Sequence, residues 1–196
     1  MDRWFAAKTS VKLGATGSGP IVAVPKILKV ALGLPIQLVV GFKGTADTRL
    51  AAESGELAGA CWSWDAIKST WAKGLESGDV SIVLQALPKP HADLPKVPLA
   101  ISYAKTDEAR QLIQVGIHDA ADVARPFVMP PATPKDRVQA IRAAFLAMLK
   151  DPAFLAEAEK SKLDVDPVTG EMLEKIVAGL YKIHPAILAK LKEVLD

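Results

Sequence analysis

Cysteine occurs once in the chain, as Cys61. A lone thiol excludes an intramolecular disulfide framework and a zinc site built from several cysteines. The three histidines, His91, His118 and His184, are too scattered to read as a metal site. An excess of one charge is also missing. The 24 basic and 22 acidic residues are interspersed and leave a formal net charge of +2. No basic block points to nucleic acid, and no acidic tail points to a disordered arm. No apolar run reaches the length of a membrane span. The opening MDRWFAAKTS lacks the basic and then long apolar pattern of a secretory signal. These absences fit a soluble protein, or a soluble piece of one.

What is present is a chain of 196 residues, half of them apolar. That length and composition allow one domain or two small lobes with a real core. The first part alternates strand-like and helix-like segments. SVKLGAT reads as a short buried strand. Residues 21–32 read as a helix, with Pro25 arguing for a late start or a kink. IQLVVGF is the clearest strand. KGTADTRLAAESGE reads as a helix with Thr45 as N-cap and Gly55 as stop. LAGACW is the next short strand, Ser63 caps WDAIKSTWAKGLESG, and VSIVLQAL closes as another buried strand. This repetition predicts parallel strands joined by right-handed crossovers.

The proline-rich PKPHADLPKVPLAISYAKTDEAR reads as an extended surface connection. A helix is expected from Thr106 to about Gly116, and ARPFVMPP reads as a strand ending at its prolines. From Thr133 the character becomes almost purely helical. TPKDRVQAIRAAFLAMLKD carries a Thr cap and a proline at the first helical position. DPAFLAEAEKSKLD, TGEMLEKIVAGLYKI and PAILAKLKEVL supply three more helices. His184 is expected to cap the last.

Chemistry concentrates at strand-to-helix loops. GATGSG follows the first strand and precedes a helix. Such a turn exposes backbone N–H groups, and the helix dipole adds roughly half a positive charge there. Glycine permits close approach of an anion, and Thr16 and Ser18 add hydroxyls. The loop is not a P-loop, since no Lys-Ser or Lys-Thr pair follows. Its G-x-x-G-x-G order is not the dinucleotide fingerprint either. No cofactor is expected. GFKGTADT repeats the logic with Gly44, Thr45 and Asp47, and CWSWD places Trp62 and Ser63 at a third strand end. Ligands of open α/β sheets bind outside the carboxyl ends of strands. The alternatives are a ligand-free turn, core packing for the tryptophans, and a helix-dipole charge for Asp47. Cys61 as the nucleophile of a thiol hydrolase has no local signature, and a structural thiol is the better reading. Asp164 and Asp166 read as solvated turn residues.

Taken in order, these segments resemble the solute-binding receptors of tripartite tricarboxylate transporters, the Bug or TctC family. The resemblance rests on GATGSGP, VVGFKGTADTRLAAESGELAGACWSW, LPKVPLAISYAKTDE, ARPFVMPPATPKDRVQAIRAAFLAMLKDPAFLAEAEK and the helical end. It covers nearly the whole chain. It implies a type II periplasmic-binding-protein-like α/β fold and a non-enzymatic receptor for a small organic di- or tricarboxylate or related metabolite. Carried over residue by residue, the ligand contacts fall at Thr16, Gly17, Ser18 and Gly19, at Gly44, Thr45, Ala46 and Asp47, and at Trp62 and Ser63. Partners would be the transporter's membrane subunits, and the full-length form would be periplasmic.

The resemblance also implies a receptor truncated at its amino terminus. Residues 1–9 would be an extension and 10–123 a complete α/β lobe two. Residues 124–196 would be a crossover strand and the returning helices of lobe one. In that division the apolar faces of the helical part, including Ile141, Phe145, Leu146 and Met148, expect a sheet. They would pack on lobe two, exchange between chains or form a homodimer. A ligand-free interaction or regulatory protein derived from such a receptor is the competing expectation.

Overall fold

Val11–Ala15 (β1), Ile36–Val40 (β2) and Gly59–Ala60 (β3) form a parallel three-stranded sheet in the order β2-β1-β3. Val11 is opposite Ile36 and Ala15 opposite Val40, while Gly14 meets Ala60. The computed structural model describes residues 1–196. These residues divide into two compact units, one comprising Met1–Ala121 with Ile183–Asp196 and the other Asp122–Lys182.

The first unit opens with a single turn, Asp2–Phe5 (α1). Helix α2, Pro20–Leu32, follows β1. It starts at a proline and ends at Gly33, whose left-handed φ of 66° closes the last turn. Pro25 sits inside the helix and is buried. It removes one intrahelical bond without delaying the start, so the late start considered from the sequence does not occur. Helix α3, Thr45–Glu53, connects β2 to β3, and Trp64–Thr70 (α4) with Ala72–Ser77 (α5) follow β3. A 3-10 turn at Ala100–Tyr103 leads to α6, Asp107–Ile113. Thr106 Oγ1 caps α6 by accepting from the N–H of Ala109 at 3.1 Å. The helix continues as a π-helical segment, Gln114–Asp119, and a last turn, Ala120–Asp122 (α7).

The core joins Leu13, Ile27, Leu34, Ile36, Leu112 and Ile113, all buried. Burying each of the larger aliphatic side chains contributes about 1.5–3 kcal/mol. Two glycines let elements approach. A Cβ on Gly14 would run into Leu57 and Thr48, so the centre of β1 is bare where α3 crosses it. A Cβ on Gly116 would meet Ile27 and Leu191 at 2.7 Å each. There the π-helical segment packs on α2 and on the terminal helix.

The second unit holds Lys135–Met148 (α8), Pro152–Lys160 (α9) and Gly170–Leu180 (α10). Asp151 Oδ1 caps α9 and Thr169 Oγ1 caps α10. Arg142 on α8 bonds Glu171 and Glu174 on α10. The terminal helix α11, Pro185–Leu195, belongs instead to the first unit and packs on α2 and α6. His184 Nδ1 caps it, accepting from the N–H of Ala186 at 3.2 Å.

Several expectations are corrected. VSIVLQAL does not join the sheet. It makes one isolated bridge, Gln85 with Leu99, and Val83 is exposed. The amide of Gln85 explains this. Its Nε2–H groups donate to Leu94 and Val97 carbonyls, and its Oε1 accepts from the His91 N–H, tying the segment to the proline-rich connection. ARPFVMPP is not a strand. Phe127 and Val128 are 84% and 80% exposed, and Pro126, Pro130 and Pro131 offer no N–H for pairing. Thr133 does not cap α8; its hydroxyl donates to the Pro130 carbonyl in a turn, and Pro134 is the N-cap. Residues 183–196 pack with the α/β unit.

Candidate functional site

Parallel pairing sends the chain out of all three strands at one edge of the sheet. Residues 16–19 leave the central strand, 41–44 leave β2 and 61–63 leave β3. The structure therefore gathers at one edge the three loops singled out in the sequence. Gly17, Ser18, Gly19, Ala46, Asp47 and Ser63 are exposed, while Thr16, Gly44, Thr45 and Trp62 are half-buried.

The first loop ends at Gly19, whose φ of 83° is open to glycine and strained for other residues. No side chain caps α2. The hydroxyls of Thr16 and Ser18 make no hydrogen bond to the rest of the chain. A Cβ at Gly17 would meet nothing within 4 Å, so the backbone there is open to solvent. In the second loop Gly41 is left-handed (φ 109°) and Gly44 is extended. Gly44, not Thr45, is the N-cap of α3, and Thr45 is the first helical residue. The hydroxyl that meets the Gly44 carbonyl is that of Thr48, at 2.9 Å. No side chain caps α3 either.

Asp47 lies in the first turn of α3 and is exposed. Its charge complements the helix dipole and would repel a carboxylate beside it. Lys43, exposed in the same loop, has the opposite effect and was missed in the sequence. Its signal was a cation between the strand and the turn glycine. At the third loop, Ser63 Oγ is already engaged as the N-cap of α4, accepting from Ala66 N–H at 3.4 Å. Trp62 stacks on Trp71 with ring centroids 4.7 Å apart. Stacking accounts for the Trp62 ring, whose buried Nε1–H has no hydrogen-bond partner, and capping accounts for Ser63, so the first two loops carry most of the anion-suited geometry.

Cys61 is half-buried beside this edge, and burial pushes its thiol up to about 11. It is protonated at neutral pH, which removes the thiolate a nucleophile needs. No group of three or more His, Cys, Asp or Glu side chains could hold a metal ion. No helix is long and apolar enough to cross a membrane.

No family model matches the chain, and neither the curated proteins nor the solved structures contain a match.

Proposed function

We propose that the chain binds a small organic di- or tricarboxylate, as the ligand-binding part of an extracytoplasmic receptor of a tripartite tricarboxylate transport system. In this reading its α/β unit is of the type II periplasmic-binding-protein kind. It hands solute to the transporter's membrane subunits outside the cytoplasmic membrane and performs no chemistry on it. One observation carries the reading. Two glycine loops leave neighbouring parallel strands at one edge, and each opens a helix that has no side-chain cap. Backbone N–H groups there suit carboxylate oxygens, Thr16 and Ser18 supply unengaged hydroxyls, and Lys43 adds a cation. The ordered motifs supply the choice of receptor family.

Isothermal titration with citrate, succinate and malate tests it. Saturable heat that is lost when Gly17 and Gly19 are both replaced by bulky residues supports the reading. Absence of heat from every di- and tricarboxylate sinks it.

A second reading, a ligand-free interaction protein, is supported by Phe127, Val128 and Tyr181, which are 84%, 80% and 89% exposed in the 122–182 unit. Ile141 and Met148 are exposed there too, whereas Phe145 packs on Phe127. Sedimentation equilibrium that shows a single monomeric species at high concentration would speak against self-association through this unit.

A further inference from the structure

A sheet leaves an open edge at each outer strand, and here the two edges differ. Strand β3 is a short stub, Gly59–Ala60, whereas β2 runs the full length of Ile36–Val40. The Val11 N–H donates to the Pro35 carbonyl at 2.6 Å, which fixes the groups of β2 that face β1. Backbone groups of successive strand residues alternate between the two sides. Gln37 and Val39 therefore turn theirs to β1, and Ile36, Leu38 and Val40 turn theirs outward. The Ile36 N–H is taken by the Leu34 carbonyl at 2.8 Å. The N–H and C=O groups of Leu38 and Val40 have no partner in the chain. Edge strands are commonly guarded by prolines, charges or bulges within the strand. Ile-Gln-Leu-Val-Val has no proline and no charge, and it pairs with β1 without a bulge.

Positive charge stands beside this edge. Lys26 and Lys29 of α2 line a half-open depression together with Ile36, Gln37 and Leu38 of β2. Lys29 has no hydrogen-bond or ion-pair partner within the chain. Lys26 Nζ donates to the neutral carbonyl of Leu195 at 3.0 Å and keeps its full charge. A second copy paired edge to edge would bring its own two lysines against these, which disfavours self-pairing. We infer that the outer edge of β2 takes an added strand, an extended peptide segment that carries carboxylate side chains. The main chain of that segment pairs with the Leu38 and Val40 groups, and its carboxylates meet the two ammonium groups. The surface runs along the length of β2, not across the carboxyl ends of the strands. It stands whether or not the loops there hold a ligand.

The test is a proton–nitrogen NMR titration of the full chain with a short blocked peptide of alternating glutamate and valine. Alternation puts all its carboxylates on one face of the strand. Saturable shifts are expected at the Leu38 and Val40 amides in the millimolar range or tighter, with slower hydrogen exchange at both. The same peptide methylated at its backbone nitrogens, and a lysine–valine peptide, should each bind about tenfold or more weakly. Lys29→Glu, at an exposed position that leaves the core intact, should weaken the glutamate peptide about tenfold. Lys29→Arg should retain most of the affinity. Shifts confined to the amides of 16–19 and 44–47, binding that survives backbone methylation, or equal binding by the lysine peptide or in Lys29→Glu would each overturn the proposal. So would Leu38 and Val40 shifts that grow with protein concentration alone, which would assign the edge to a second copy.

Discussion

The indole Nε1–H of Trp64 donates to Oδ2 of Asp93 at 2.8 Å and ties α4 to the proline-rich segment that follows α5. The same carboxylate lies 3.9 Å from Lys68 Nζ and 3.8 Å from His91 Nδ1, and the Asp93 N–H donates to that ring nitrogen at 3.1 Å. Helix α4 begins at the strand edge that holds the candidate loops. Its anchoring therefore fixes the third side of that edge. Trp64→Phe deletes the donor together with the pyrrole half of the indole, so it should cost about 1 kcal/mol or more in urea unfolding. Asp93→Ala should cost as much or more. Trp64→Phe and Asp93→Ala variants both as stable as the parent would show that this bond contributes nothing net.

Two glycines should be sensitive to a single methyl group. Gly14→Ala forces β1 apart from Thr48 and Leu57, and Gly116→Ala pushes against Ile27 and Leu191. Each is expected to lower stability by about 1–3 kcal/mol. Gly17→Ala, with nothing within 4 Å of the added Cβ, should stay within about 0.5 kcal/mol of the parent. Thermal or urea unfolding of the three variants reads this directly.

Cys61 should be unreactive at neutral pH. With its thiol at about 11, iodoacetamide should modify the native chain about 100-fold more slowly than the urea-unfolded chain at pH ~8. The rate should climb only toward pH ~11. Fast native labelling at pH ~8 would mean the thiol is neither desolvated nor structural.

The 122–182 unit should weaken in acid. A hydrogen bond from its own backbone N–H, with Arg142 beside it, holds the Glu171 carboxyl below the ordinary glutamate value. The folded state thus prefers the ionised form, and the unfolded chain binds the proton more readily. The contribution is full above the ordinary glutamate range, near pH ~4.3, and is lost as pH falls through the lower folded value. Glu171 is exposed, so the effect is modest and shrinks with salt. Melting temperature followed from pH ~6 to pH ~3 should fall less in Glu171→Gln than in the parent.

Asp47 should oppose anion binding. Its charge in the first turn of α3 supports the helix but faces the same loop that would receive a carboxylate. Asp47→Asn should therefore raise affinity for a dicarboxylate roughly twofold to fivefold in low salt and less in high salt. Weaker binding in that variant would make Asp47 a ligand contact.

The parallel sheet was legible because IQLVVGF and SVKLGAT are short apolar runs flanked by turn glycines. The helix caps at Ser63 and His184 were legible, since each places a side-chain acceptor at a helix start, whereas the caps expected at Thr45 and Thr133 fall instead on Gly44 and Pro134. VSIVLQAL misled because its β-branched residues resemble a buried strand. The one residue that decides its course, Gln85, acts through long-range bonds that periodicity does not encode. The neighbours of the terminal helix were hidden for a similar reason. Its apolar face was visible, but it docks with Leu191 against the bare surface of Gly116, 75 positions away along the chain. At the candidate site, the loops and their shared edge were readable from strand order. The commitment of Ser63 to capping and of Trp62 to stacking needed three-dimensional neighbours.

The central claim is that the loops at the carboxyl ends of β1 and β2 hold a carboxylate. A proton–nitrogen NMR titration with citrate and succinate tests it most directly, because it reports each backbone amide separately. The account predicts saturable shifts confined to the amides of Thr16, Gly17, Ser18, Gly19, Gly44, Thr45, Ala46 and Asp47, reduced in Thr16→Val with Ser18→Ala. Shifts that bypass both loops, or none at all with either acid, would contradict it.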